Sequence, residues 1–260
     1  MDLGLEGRCV LVTGASSGIG RATAVAFGAA GARVAVGYHI NETGAAETVS
    51  AVETGGGTAA AVRLDLGDER SIAGAVERIG EMWGPVDVLV NNAVAWPGFP
   101  AAGETFETAP VEKMRASLRA NLEGPYLLSR AVVGGMRRRG WGRIAHVSTG
   151  LVEDGMPGSA AYVTAKAGLH GLNRVMSREL AAAGILTNVV MAGFVPAGKP
   201  IPPAVQQQAA DAAAIRRVSE AGEVAEVIVF LCSARNTNVT GQAVRADGHF
   251  LTPMPKGAGT

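Results

Sequence analysis

Aromatic side chains are scarce in this chain, with six Phe, three Tyr and three Trp among 260 residues. That argues against an aromatic-rich binding surface, whereas 36 glycines and abundant alanine favour close helix–sheet packing. Cysteine is limited to Cys9 and Cys232, far apart and each in an apolar segment. A disulfide framework is therefore excluded, and two buried, reduced thiols are expected. Net charge is lacking too, since 23 basic residues balance 23 acidic ones. No basic stripe or acidic tail marks a nucleic-acid partner. No apolar run reaches the roughly 18 residues of a membrane span. The opening MDLGLEGR carries acids where a signal peptide would be apolar, so a cytoplasmic protein is expected. His39, His146, His170 and His249 show no ligand spacing, and no metal is expected.

What the sequence does have is alternation. Short apolar runs at Arg8–Thr13, Arg33–Tyr38, Ala59–Asp65, Val86–Asn91, Gly142–Ser148, Ile185–Met191 and Gln242–Ala246 read as strands. They are mostly apolar on both faces, as parallel strands covered by helices should be. Helical stretches lie between them, at about 18–30, 42–54, 68–83, 110–138, 160–183 and 222–233. The pattern predicts an α/β fold, a doubly wound parallel sheet in one domain spanning residues 1–260. The least regular stretch, GFVPAGKPIPP at 193–203, is long for a loop inside a compact domain and marks a functional segment.

The stretch VTGASSGIG, residues 12–20, follows the first strand and opens the first helix. Glycines there let a diphosphate approach the backbone, and the helix start offers free N–H groups and its positive dipole end. The spacing is Gly14-x-x-x-Gly18-x-Gly20. Later in the chain come Asn91-Asn92-Ala93 at the end of strand four, Asn121 in a long helix and Ser148-Thr149 at the end of strand five. Tyr162-Val-Thr-Ala-Lys166 and a late TGQ…DG segment complete the set. Tyr162 and Lys166, four apart, share a helix face.

These motifs, in this order from Arg8 to Gly248, resemble the short-chain dehydrogenase/reductase family. The resemblance implies a Rossmann-like fold with a seven-stranded parallel sheet, NAD or NADP as cofactor, and a homotetramer. It implies that Tyr162 donates or accepts the proton, while Lys166 lowers the phenol pKa and holds the nicotinamide ribose. Asn121 would order a water on the proton path. The hydroxyl that orients the carbonyl usually lies thirteen residues before the Tyr, which selects Thr149; Ser148 serves instead if the following loop carries an extra residue. The implied nucleotide contacts are Gly14, Ser16, Ser17, Gly18, Ile19 and Gly20 in the turn, and Tyr38, His39 and Asn41 after strand two. Asp65 and Leu66 would meet the adenine, with Asn91, Ala93, Gly193 and Val195 further along. NAD-specific relatives place an Asp where Tyr38 stands, and its absence favours NADP(H).

Several positions depart from the family pattern. Ala192-Gly193 replaces Pro-Gly after strand six, Ala197 stands where a Thr is common, Val94 follows NNA, and His249 follows Asp247-Gly248. The substrate pocket is expected from Ala95, Trp96, Pro97 and Phe99, from Leu151, Val152 and Met156, and from Ala192, Phe194 and a lid over about 194–213. This largely apolar set suits a bulky, flat ketone or its alcohol. The chain is similar to actinobacterial ketoreductases that tailor aromatic polyketides, of the angucyclinone type, implying a role in antibiotic biosynthesis. Two other readings stand beside that one: a 3-oxoacyl-acyl-carrier-protein reductase, docking an acidic carrier on Arg137-Arg138-Arg139 and Arg178, and a nucleotide-binding regulator without turnover.

Overall fold

The computed structural model describes residues 2–96, 98, 104–196 and 202–249. Its centre is a sheet of seven parallel strands in the order β3-β2-β1-β4-β5-β6-β7. The strands are β1 (Cys9–Val12), β2 (Arg33–Tyr38), β3 (Thr58–Arg63), β4 (Val88–Asn91), β5 (Gly142–Thr149), β6 (Ile185–Ala192) and β7 (Ala243–Ala246). Strand order reverses between β1 and β4, so their C-terminal ends open a crevice at the topological switch point.

Helices cover both faces. Helices α1 (Gly18–Ala29), α2 (Glu42–Thr54) and α9 (Ala221–Cys232) lie on one side. On the other lie α3 (Glu69–Trp83), α5 (Gly124–Arg139) and α7 (Ala160–Leu180). Alternate residues of one strand divide between the two cores: Val10 and Val12 pack under α1 and α9, Cys9 and Leu11 under α3 and α5. Central strands are buried on both faces, as expected. The edge strands depart from that expectation, because β3 and β7 each have a partly open face.

The expected helix at 110–138 is one rod with a widened turn. Helix α4 (Val111–Leu118) passes through a π-turn at Arg119–Glu123 into α5. Pro125 explains it: proline has no N–H to give the Asn121 carbonyl four residues back, and the Gly124 N–H reaches Arg119 O instead. Two further helices fall in stretches read as loops, α6 (Leu151–Asp154) and α8 (Pro203–Ala212). Helix α8 occupies the expected lid, of which residues 197–201 lie outside the described residues. Cys9 and Cys232 are buried free thiols, pushed up to about 12 by burial.

Candidate active site

The crevice at the switch point encloses about 430 Å³. Its floor is the glycine turn. Thr13 braces it, donating from Oγ1 to Val90 O while accepting from the N–H groups of Asn92 and Ala93. Asn92 Nδ2 donates to Thr13 O and Gly14 O, at 2.9 and 3.2 Å. Gly14 adopts a left-handed φ of 62°, and a Cβ there would lie 2.7 Å from Ala93 Cα. The start of α1 has no side-chain cap at Ser17 and no acid in its first turn, so its N–H groups face the crevice. Arg21 locks the turn to α2 through Ser16 O, Gly44 O and Glu47.

Ser16, Ser17, Gly18, Ile19, Tyr38, His39, Asn41, Asp65, Leu66, Ala93 and Val195 line this crevice together. His39 Nε2 and Asp65 Oδ2 are 3.3 Å apart across its rim. Thr13, Gly37, Ile40, Asn92, Val94 and Ala120 line it as well and were not among the expected contacts, as does Ala95, expected at the substrate pocket. Thr13 and Asn92 had a signal in the sequence, as polar residues at the ends of adjacent strands. The arrangement fits a nicotinamide dinucleotide: a braced glycine turn and an uncapped helix start suit a diphosphate, and open pockets lie beyond β2 and β3.

Three expected nucleotide residues have further contacts of their own. The Asn91 side chain turns into the interior, where Nδ2 meets Ser129 Oγ at 3.1 Å and His146 Nδ1 at 3.2 Å. At Gly20 a Cβ would collide with Gly14 O, so packing also requires a glycine there. Gly193 packs against Asp247, where a Cβ would lie 2.8 Å from that residue's Cβ.

Ala95 and Ala120, which line the crevice, adjoin Asn121. Asn121, fully buried, holds Ala95 by both backbone groups: Oδ1 accepts from Ala95 N and Nδ2 donates to Ala95 O, each at 3.0 Å. The next residue, Trp96, sits edge-on to the Tyr162 ring with centroids 4.8 Å apart. Lys166 lies one turn along α7, its Nζ 5.9 Å from the Tyr162 ring centroid. That ammonium is buried and donates to Val147 O at 2.8 Å. Burial pushes Tyr162 up to about 12 and Lys166 down to about 8. Desolvation of the ring dominates at Tyr162, and the Lys166 ammonium is anchored on a strand carbonyl. Buried His146 is held down to about 3, first by desolvation and then by the charges of Lys166 and His170.

The two hydroxyls at the end of β5 have different surroundings. Ser148 Oγ faces α7 and pairs with His170 Nε2 at 3.0 Å. His170 is two helical turns beyond Tyr162, about 12 Å along the axis. Thr149 ends the strand, and its Oγ1 accepts from the Leu151 N–H at 3.3 Å. With a lone pair anchored, the Thr149 hydroxyl keeps its proton to donate.

The expected substrate residues are only partly assembled. Trp96 and Phe194 are exposed, and Leu151, Val152 and Met156 are half-buried. Ala192 is buried. Strand β6 runs one residue further than the sequence predicts, and Ala192 closes it in register with Thr149 of β5. Pro97, Phe99 and Ala197 lie outside the described residues. Among the described residues no group of His, Cys, Asp and Glu could hold a metal, and no helix is long and apolar enough to cross a membrane.

Comparisons with known proteins agree with this geometry. Residues 14–250 match the family model described as enoyl-(acyl carrier protein) reductase. The 3-oxoacyl-[acyl-carrier-protein] reductase of Pseudomonas aeruginosa is 32% identical over 95% of this chain and 98% of its own length. Among solved structures, the promiscuous reductase LugOII, described as catalysing keto-reduction at C1 in lugdunomycin biosynthesis, is 36% identical with a TM-score of 0.86, covering 95% of this chain and 98% of its own. The angucycline C-6 ketoreductase LanV, solved with bound NADP, is 31% identical with a TM-score of 0.84, covering 95% and 96%. With the seven-stranded parallel sheet, the braced glycine turn and the Tyr162/Lys166 helix in place, the chain belongs to the short-chain dehydrogenase/reductase family of nicotinamide-dependent oxidoreductases.

Proposed function

We propose that this protein is an NADPH-dependent ketoreductase for bulky, apolar, polycyclic ketones of the aromatic-polyketide kind. The observation that carries the reading is the edge-on contact of Trp96 with a half-buried Tyr162. A phenol held at about 12 stays protonated through the neutral range, as a proton donor for ketone reduction must. The apolar wall beside it suits a flat ring system. When bound, the nicotinamide supplies the hydride. Thr149 donates its O–H to the carbonyl oxygen and orients it. Tyr162 delivers the proton to that oxygen, and the Lys166 ammonium stabilises the phenolate left behind. Asn121 keeps Ala95 and Trp96 in place, and Pro125 gives its carbonyl no N–H four residues on.

NADPH is favoured over NADH because Tyr38 ends β2 with no carboxylate to repel a 2′-phosphate, and His39 stands beside it on the rim. NADP in LanV supports the same choice.

The similarity to 3-oxoacyl-carrier-protein reductases keeps a thioester substrate as the second reading. The arginine run gives that reading little support. Arg137 donates to Glu179 O, and Arg139 binds Asp87 and Val86 O just before β4, at the opposite end of the strands from the crevice. We also take the protein to be a homotetramer: Tyr126 on α5, Val175 on α7 and Phe230 on α9 are exposed apolar residues that an assembly would cover.

A substrate panel with both nucleotides tests the reading. NADPH with a four-ring angucyclinone-type ketone is expected to give the highest kcat/KM. Preference for acetoacetyl-carrier protein would establish the second reading, and nucleotide binding without any turnover would make the protein a regulator.

A further inference from the structure

We infer that Arg245 is a positioning residue for the reaction, clamping α6 so that its first N–H fixes the Thr149 hydroxyl. The inference rests on the reading of Thr149 as the carbonyl-orienting group. Arg245 lies on the edge strand β7, within the late TGQ…DG segment but not among the residues that define it. Its guanidinium gathers three carboxylates. Nε donates to Asp247 Oδ2 at 2.9 Å, and Nη2 lies 2.7 Å from the same oxygen. Nη1 and Nη2 bind Asp154 as a fork, at 3.4 Å to Oδ1 and 2.9 Å to Oδ2. Nη1 also donates to Glu153 Oε2 at 3.0 Å.

The pairs sit where they gain strength. The Asp247 side chain is 0% exposed, that of Asp154 19% and that of Arg245 22%. A planar fork on a shielded carboxylate fixes direction as well as distance. Asp247 is itself fixed, because Oδ1 accepts the His249 N–H at 2.9 Å. One end of the clamp therefore belongs to the turn after β7.

Its other end is α6, a single turn that could not hold its place alone. Glu153 N and Asp154 N both donate to Gly150 O, at 2.9 and 3.1 Å, closing the turn on the residue after Thr149. The guanidinium lies against that glycine: a Gly150 Cβ would fall 2.7 Å from Arg245 Nη2 and 2.8 Å from Asp247 Oδ2. The Leu151 N–H, at the start of the same turn, donates to Thr149 Oγ1. The path from clamp to hydroxyl thus runs through one helical turn, four residues long.

The test is a double-mutant cycle, with steady-state reduction of 1-tetralone by NADPH as the rate and NADPH binding as the control. Arg245→Met is expected to lower kcat and kcat/KM together about tenfold while the NADPH Kd stays within about twofold, because the lost interaction acts in the transition state. Arg245→Lys should restore part of the rate without the fork. In a Thr149→Ala background, Arg245→Met should change the rate by less than about twofold, since the group it positions is gone. A further tenfold loss in that background would mean a merely structural role and would overturn the inference. Arg245→Met leaves a buried carboxylate unpaired, so Asp154→Ala, which cuts only the α6 arm, serves as the second probe. It is expected to lower kcat about threefold with unchanged NADPH affinity, and an unchanged rate in this variant also overturns the clamp. If Thr149→Ala itself runs within about threefold of the parent, the Thr149 reading fails first and the clamp loses its route to the chemistry.

Discussion

The two halves of the cleft are built on different principles. The nucleotide half is made of backbone: a glycine turn held by Thr13 and Asn92, with the uncapped start of α1 behind it. The reacting half is made of side chains that hold one another, Asn121 on Ala95, Trp96 on Tyr162, Lys166 on a strand carbonyl and Arg245 on α6. A backbone site is fixed by local conformation and tolerates many side chains around it. A side-chain site depends on burial and on partners far along the chain, so single substitutions there change chemistry before they change binding.

That contrast can be broken most sharply at Tyr162. Tyr162→Phe removes the proton donor but no backbone contact. Turnover should fall about a thousandfold, with the NADPH Kd within about threefold by fluorescence titration. Turnover within tenfold of the parent would end the assignment. The hydroxyl pair at the end of β5 comes next. Thr149→Ala should cost about a hundredfold in kcat, whereas Ser148→Ala, losing only its contact with His170, should stay within about threefold. The reverse order would move the role to Ser148.

A smaller effect concerns pH. Burial holds the Lys166 ammonium down to about 8, so the charged form is present below that pH and is lost above it. Ketone reduction at saturating NADPH should therefore decline as pH rises through about 8, by about tenfold between pH 7 and pH 9. A flat profile across that interval would show that the ammonium is not required. The smallest effect belongs to the backbone-built half. Tyr38→Asp adds a carboxylate at the rim, which repels a 2′-phosphate and can accept from a ribose 2′-OH. It should shift the NADPH/NADH preference by about fivefold toward NADH with kcat little changed. An NADH preference in the unmodified protein would contradict the nucleotide reading itself.

The same contrast governs what could be read from the sequence. The glycine turn, the strand ends and the Tyr162/Lys166 helix face follow from local rules of period and spacing, and the strands fall within about two residues of their expected bounds. Strand ends are less legible. Strand β6 runs one residue past its expected end and closes with Ala192 in register with Thr149. The π-turn at Asn121 had a local cause in Pro125, which a helical pattern over 110–138 conceals. The raised phenol and the Arg245 clamp were not legible, because both depend on residues brought together only by the fold: Trp96 with Tyr162, and Asp154 and Asp247 with a β7 side chain.

The central claim is that hydride goes to a ketone carbon. Reduction of an unsaturated polycyclic ketone with NADPH carrying deuterium at nicotinamide C4 tests it most directly, with the position of the label read by NMR. Deuterium is expected on the carbinol carbon of a secondary alcohol, one label per NADPH consumed, with the carbon–carbon double bond intact. Deuterium on an alkene carbon would make the protein an enoyl reductase, and NADPH loss without labelled product would remove the ketone from the account altogether.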